Sequence, residues 1–162
     1  MTLDDIPAVH AIDVVSFSLP WTERSYRFEL TENPSSMVWV AELEQNDGSR
    51  KIVASVTVWL IIDEAHIGSI SVHPDFRQQG IARQLLANTL IEAAEHGAIQ
   101  STLEVRRSNL AAQGLYRQFG FTTVAIRPHY YRDNNEDAML MTLEGMDPHS
   151  IREKVARIGK IM

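Results

Sequence analysis

The sequence predicts an α/β fold of the α+β type: a central mixed, mostly antiparallel sheet with helices on both faces. Three observations predict it. Apolar residues follow helical spacing at the start of the chain and two-residue alternation in its middle. The order then becomes strand, helix, strand, helix, strand, strand. One stretch, Ile67 to Gly97, joins a strand to a helix through a turn ending at Gly80.

Each element has its own signals. Thr2 followed by Asp5 resembles a capping box, and Pro7 lies near the first turn, where a missing N–H costs little. Ile6, Val9, Ile12 and Val15 or Ser16 share one face, which predicts a first helix to about Ser16. Leu19-Pro20-Trp21 breaks it. Thr22 is placed as the N-cap of a second helix, roughly Glu23 to Glu32, with Tyr26 and Leu30 facing inward and Asn33-Pro34 ending it. Met37 to Leu43 alternates as a strand, and Asn46-Asp47-Gly48 signals a hairpin turn. Ile52 to Ile62 and Ala65 to Val72 are the next two strands. Ile81, Leu85, Leu86, Thr89, Leu90 and Ala93 recur at three- and four-residue steps, predicting a helix that Gly97 stops. A strand follows from about Ser101 to Arg106. Asn109 then caps a helix carrying Ala112, Leu115, Tyr116 and Phe119, which Gly120 closes. Phe121 to Arg127 and Ala138 to Leu143 complete the sheet, joined through Tyr130 to Asp137. Beyond a domain of residues 1-145, residues 146-162 form an amphipathic extension. There Ile151, Val155, Ile158 and Met162 are spaced as on a helix, with Arg152, Lys154, Arg157 and Lys160 on its other faces. The sheet edge, a partner subunit and RNA are its candidate docking surfaces, and docking on its own domain is the default.

Composition excludes several classes. At 162 residues the chain is long enough to bury a core as one domain. Its net charge of -6 argues against non-specific nucleic-acid binding and suits a basic partner. The absence of cysteine excludes disulfides and thiolate catalysis. The acidic N-terminus has no apolar signal-peptide core, and the greasiest run, Val56 to Ile62, is too short to cross a bilayer. A cytoplasmic protein without membrane attachment is expected. His66, His73 and His96 lack metal-ligand spacing and read as surface or turn residues, so no metal is expected.

Three stretches carry chemistry. Arg77-Gln78-Gln79-Gly80-Ile81-Ala82 falls on a turn leading into a helix N-terminus. Free N–H groups and the positive end of the helix dipole make a seat for phosphate there. Gly80 would let the backbone approach an anion, though a glycine in an ordinary strand–helix turn also fits. In Leu103-Glu104-Val105-Arg106, alternation turns Glu104 away from its apolar neighbours. A solvated edge carboxylate is the alternative. Tyr116 lies on an apolar helix face, as would a core tyrosine whose hydroxyl reaches a partner.

The first stretch matches Gln/Arg-x-x-Gly-x-Gly/Ala, the pyrophosphate-binding signature of the GCN5-related N-acetyltransferases, the GNAT superfamily. The preceding strand, the Val-x-Pro and the basic residue are in place. Leu103 to Asn109 and Ala112 to Phe121 together resemble a narrower group, the RimI-type ribosomal-protein alanine N-acetyltransferases. There the pattern Leu-Glu-Val-Arg-x-Ser-Asn-x-x-Ala-x-x-Leu-Tyr-x-x-x-Gly-Phe holds almost position for position. Pro20-Trp21 after the first helix is similar to that group's Pro-Trp segment. Arg127-Pro128-His129-Tyr130-Tyr131 followed by Glu136-Asp137-Ala138 is similar to its ending. The resemblance covers roughly Thr2 to Leu143. The superfamily carries a strand ahead of the first helix, and this chain begins at Met1-Thr2, where that strand would end, so the first family strand is expected to be missing.

The resemblance implies an acetyl-CoA-dependent transferase acting on a protein or peptide N-terminus. Glu104 would be the general base and Tyr116 the general acid. The acetyl-CoA site would take backbone from Ile70, Ser71 and Val72, the loop and helix start at Arg77, Gln78, Gln79, Gly80, Ile81, Ala82 and Arg83, and Asn109. Capping alone also explains Asn109. The acceptor would meet Trp21, Glu23, Tyr130, Tyr131 and Asp137, an aromatic and acidic lining suited to a small first residue followed by basic ones. For Trp21 a hydrophobic staple between helices is equally compatible. Two rivals stand beside this reading: a GNAT enzyme acetylating a small-molecule or lysine amine, and a non-enzymatic acyl-CoA-binding module. Intact Glu104 and Tyr116 speak against the second, since a binder needs neither. Oligomeric state is not encoded in any of these features.

Overall fold

The computed structural model describes residues 1–159. Lys160 and Met162, assigned from sequence to the terminal helix, lie outside the described residues. Helices α1 (Ile6–Ser16) and α2 (Glu23–Thr31) precede strands β1 (Ser36–Glu44), β2 (Arg50–Ile61) and β3 (Glu64–Val72). Then come α3 (Ile81–Glu95), β4 (Gln100–Arg106), α4 (Leu110–Gln118), β5 (Thr122–Tyr131), β6 (Glu136–Glu144) and α5 (Pro148–Gly159). The six strands make one sheet in the order β1-β2-β3-β4-β6-β5. β3 and β4 pair in parallel, whereas β1 with β2, β4 with β6 and β5 with β6 are antiparallel. This is the mixed, mostly antiparallel sheet that the sequence predicts, and its first strand follows both N-terminal helices.

Two compact units make up the chain. One comprises Met1–Trp59 with Gly68–Thr89, and the other Leu60–Ile67 with residues from Leu90 onward. In the first unit the Thr2 backbone N–H donates to Asp5 at 2.6 Å, and Thr22 accepts from the Ser25 N–H at 3.1 Å, so both predicted caps form. Ile6, Val9 and Tyr26 are the buried centre around which Met1, Trp21, Leu30, Val40 and Ile52 pack. The residue completing the buried face of α1 is Asp13, while Val15 is exposed. Asp13 accepts from the Tyr26 hydroxyl at 2.6 Å and from Ser71 Oγ at 3.1 Å, and Ser71 Oγ lies 3.0 Å from Ser55 Oγ. Burial pushes the Asp13 carboxyl up from its ordinary value, and the bonds from Tyr26 and Ser71 pull it back down. This network ties α1, α2, β2 and β3 together through one buried carboxyl.

In the second unit β4 alternates strictly. Ser101, Leu103 and Val105 are buried, and Thr102, Glu104 and Arg106 occupy the other flank. Tyr116 and Phe119 of α4, Phe121, and Met141 and Leu143 of β6 are also buried. Asp147 caps α5 by accepting from the Ser150 N–H at 3.0 Å, Ile151 is buried, and Arg152 pairs with Glu95. Strand β5 runs past the predicted end at Arg127. Pro128 is tolerated because β5 is an edge strand, and the β5–β6 register shifts between Arg127 and Tyr131. Tyr130 and Tyr131 therefore end a strand and do not begin a connecting loop.

Candidate active site

In the first unit, β3 leads through a 3-10 turn at Pro74–Phe76 to the start of α3 at Ile81. Gln78 and Gly80 both take left-handed backbone, at φ +62° and +79°. That pair of reversals turns the chain sharply before the helix. Arg77 is folded inward: its Nε donates to the Val72 carbonyl at 3.0 Å and its guanidinium to Ser16 Oγ at 3.1 Å. It holds the end of β3 to the turn. Gln79 reaches the Asp75 carbonyl at 3.4 Å. Ile81, Ala82 and Arg83 form the first turn of α3, whose N–H groups have no intrahelical acceptor. A Cβ at Gly80 would stand 3.1 Å from the Arg83 guanidinium, which lies against the turn. Backbone donors, a helix N-terminus and Arg83 suit an anion here. On β3, Ile70 is half-buried, while Ser71 and Val72 are buried.

Also within this unit, Trp21 stacks on Trp59 with ring centroids 6.0 Å apart. The two indoles, Phe28 and Glu29 are among the walls of a cavity of about 420 Å³. Glu29 accepts from Trp59 Nε1 at 2.8 Å. Trp21 also packs on Tyr26, with 5.4 Å between centroids, and its carbonyl meets His10 Nδ1 at 2.8 Å. The indole thus staples the helices and lines the cavity at once. Glu23 is exposed in the first turn of α2.

The second unit holds Glu104. Its side chain is only 8 % exposed and sits just past the last parallel pair of β3 and β4, Ile67 with Leu103. One oxygen accepts from Arg127 at 3.0 Å, and the other lies 3.2 Å from His66 Nε2. His66 is half-buried on β3 and is neither a surface nor a turn residue, which corrects the expectation from sequence. Tyr116 is buried on α4 with its ring 5.8 Å from Phe121. Burial pushes its hydroxyl well above the ordinary tyrosine range, so it keeps its proton.

Tyr131 hydrogen-bonds the Glu104 carbonyl at 3.5 Å and carries the Arg106 guanidinium 3.9 Å above its ring. Burial pushes its hydroxyl up to about 12. Tyr130 stands edge-on to Tyr131 at 5.2 Å. Asp137 accepts from the His129 N–H at 3.0 Å and pairs with Arg107 at 3.6 Å. Ser108 holds the carboxyl of Glu136 down to about 2, and Arg106 adds an ion pair at 3.3 Å. Asn109 caps α4 by accepting from the Ala112 N–H at 3.1 Å, so its capping duty is real. Sequence reasoning missed Asp13, His66 and Arg127. Asp13 had a signal, since it follows Val9 by four residues on the apolar face of α1.

The strand-to-helix turn and the buried carboxylate beside a parallel pair are the two features on which the resemblance rests. Residues 6–121 match the acetyltransferase (GNAT) family, and the chain belongs to it. Members of this family use acetyl-CoA. Within the family its relatives are of the RimI type. A Bacillus subtilis (strain 168) protein, provisionally named ribosomal protein bS18-alanine N-acetyltransferase, is 39% identical over 141 residues, which is 87% of this chain and 90% of that protein. The ribosomal protein bS18-alanine N-acetyltransferase of Escherichia coli (strain K12) is 35% identical over 141 residues, covering 86% of this chain and 90% of the other. The crystal structure of the Escherichia coli ribosomal-protein-S18-alanine N-acetyltransferase superposes with a TM-score of 0.77 at 32% identity, covering 90% of this chain and 92% of that one.

Proposed function

We propose that the chain acetylates the α-amino group of a protein N-terminus, an alanine or similarly small residue of a basic ribosomal protein, using acetyl-CoA as cosubstrate. The observation that carries this is Glu104. This carboxylate is 8 % exposed on the polar flank of β4, between Arg127 at 3.0 Å and His66 at 3.2 Å, and it stands where the family resemblance expects a base. The diphosphate takes the N–H groups of the turn and first helical residues from Arg77 to Arg83, with Asn109 as a further contact. The pantetheine arm pairs with backbone of Ile70 to Val72.

Acetyl-CoA supplies the acetyl group as a thioester. The acceptor nitrogen forms the new C–N bond at its carbonyl carbon, and Glu104, directly or through water, takes the proton the nitrogen gives up. N–H groups near Ser71 and Val72 stabilise negative charge on the carbonyl oxygen. As the C–S bond breaks, the Tyr116 hydroxyl gives its proton to the departing sulfur. Trp21 and Glu23 of one unit, and Tyr130, Tyr131 and Asp137 of the other, are assigned to the acceptor, and the cavity beside Trp21 offers aromatic walls and one carboxylate, Glu29, to a basic side chain. The acetylation machinery is assigned to residues 1-145, and the helix beyond it to packing.

Glu104→Gln tests this reading. It should lower kcat on a short free-N-terminal peptide by about a hundredfold or more, with CoA affinity near wild type. Tyr116→Phe should slow turnover similarly. Normal turnover by both variants would remove the acid–base assignment and favour the rival readings.

A further inference from the structure

Glu104 does not end in solvent. His66 Nε2 lies 3.2 Å from its Oε2, and His66 Nδ1 lies 3.0 Å from Thr102 Oγ1. The Thr102 hydroxyl donates to Glu64 Oε1 at 2.6 Å. Four side chains on neighbouring strands β3 and β4 therefore make one continuous line. The register that puts His66 opposite Thr102 builds it. Exposure rises along it, from 8 % at Glu104 to 22 % at His66 and 35 % at Glu64.

Donor counting fixes its direction. A carboxylate only accepts, and a hydroxyl has one hydrogen. Thr102 spends that hydrogen on Glu64, so it must accept from His66, which places a hydrogen on Nδ1. A neutral ring in that tautomer turns the Nε2 lone pair toward Glu104, so this contact becomes a hydrogen bond when Glu104 carries the proton. Arg127, from β5, occupies the other Glu104 oxygen at 3.0 Å, which leaves Oε2 to face the histidine. Glu64 also accepts from Gln100 at 3.2 Å, which holds the outer end in place.

Resting on Glu104 as the base, we propose that His66, Thr102 and Glu64 form the path by which the proton taken from the acceptor amine leaves the site. Glu104, once protonated, gives its proton to His66 Nε2. The Nδ1 proton passes to Thr102 oxygen as the Thr102 hydroxyl proton passes to Glu64, and Glu64 releases it to water. The Glu104–His66 and His66–Thr102 hydrogen bonds then run in the opposite direction. The line resets when the Thr102 hydrogen turns back to Glu64 and the partly exposed ring exchanges its proton with solvent. His66 acts through Glu104 and is a relay residue; it does not touch the acceptor.

Exogenous-base rescue tests the path. Acetylation of a short free-N-terminal peptide is measured at fixed pH and ionic strength against imidazole concentration, for wild type, His66→Gln, Thr102→Val and Glu104→Gln. Wild type should not respond to imidazole. His66→Gln and Thr102→Val should be slower by about tenfold, with unchanged KM for acetyl-CoA, and should recover as imidazole rises. Glu104→Gln should be slow and unrescued. Wild-type rates in His66→Gln and Thr102→Val beside a slow Glu104→Gln would overturn the path and leave the base intact. Slow His66 and Thr102 variants that imidazole does not rescue would overturn it too, as a merely structural effect. A fast Glu104→Gln would remove the base reading beneath it. Thermal melts report folding, and if His66→Gln fails to fold, Thr102→Val and Glu64→Gln decide.

Discussion

Gly80 holds φ +79°, a conformation that side chains with a Cβ adopt at a cost, and a Cβ there would crowd the Arg83 guanidinium at 3.1 Å. Gly80→Glu adds strain, bulk and a negative charge at the seat assigned to the diphosphate. Calorimetry with CoA should find no measurable binding, and retained affinity would place the seat elsewhere. This glycine and the parity of Glu104 were legible in the sequence, because a turn signature and a period-two alternation are local. His66 was not legible. Its partner is set by the parallel register of β3 and β4, in which His66 faces Thr102, and no pattern within either segment records which residue of a neighbouring strand lies opposite. Arg127 escaped for the same reason, as it reaches Glu104 from β5 across β6.

At the scale of elements, caps and stops were read well. Thr22 and Asn109 each accept from a backbone N–H at a helix start, and Gly97 and Gly120 take left-handed backbone where helices end. Strand β5 was cut short at Pro128 because proline normally ends a ladder. Its edge position and the register shift excuse it, and both are tertiary facts. Helix α5 docks within its own unit: Ile151 and Met146 are buried, the Met146 N–H donates to the Ile99 carbonyl at 2.8 Å, and Arg152 pairs with Glu95. Among the described residues, truncation after Gly145 removes the buried Met146 and Ile151 side chains, a loss of about 2–5 kcal/mol each by analogy with large-to-small core changes. The melting temperature should fall, with kcat on a short peptide little changed. A large fall in kcat at unchanged stability would show that this helix takes part in the reaction.

For the whole molecule, the net charge of -6 suits a basic acceptor, and the proposed preference for basic residues after the first should weaken with added salt. The choice of acceptor amine follows from acidity. An α-amine titrates near 8 and a lysine near 10.4, so at neutral pH about two hundredfold less of the lysine is free to attack. Tyr130 and Tyr131, held edge to face and anchored by Arg106, should narrow the mouth around a small first residue. The family was legible because its signatures are contiguous in the chain, whereas the acceptor is chosen by surfaces that many segments share. The most direct measurement compares one peptide carrying a free N-terminal alanine followed by basic residues with the same peptide blocked at its N-terminus and given an internal lysine. The free N-terminus should be acetylated and the blocked peptide should react far more slowly. Equal or faster acetylation of the blocked peptide would contradict N-terminal specificity while leaving the acetyl-CoA site standing.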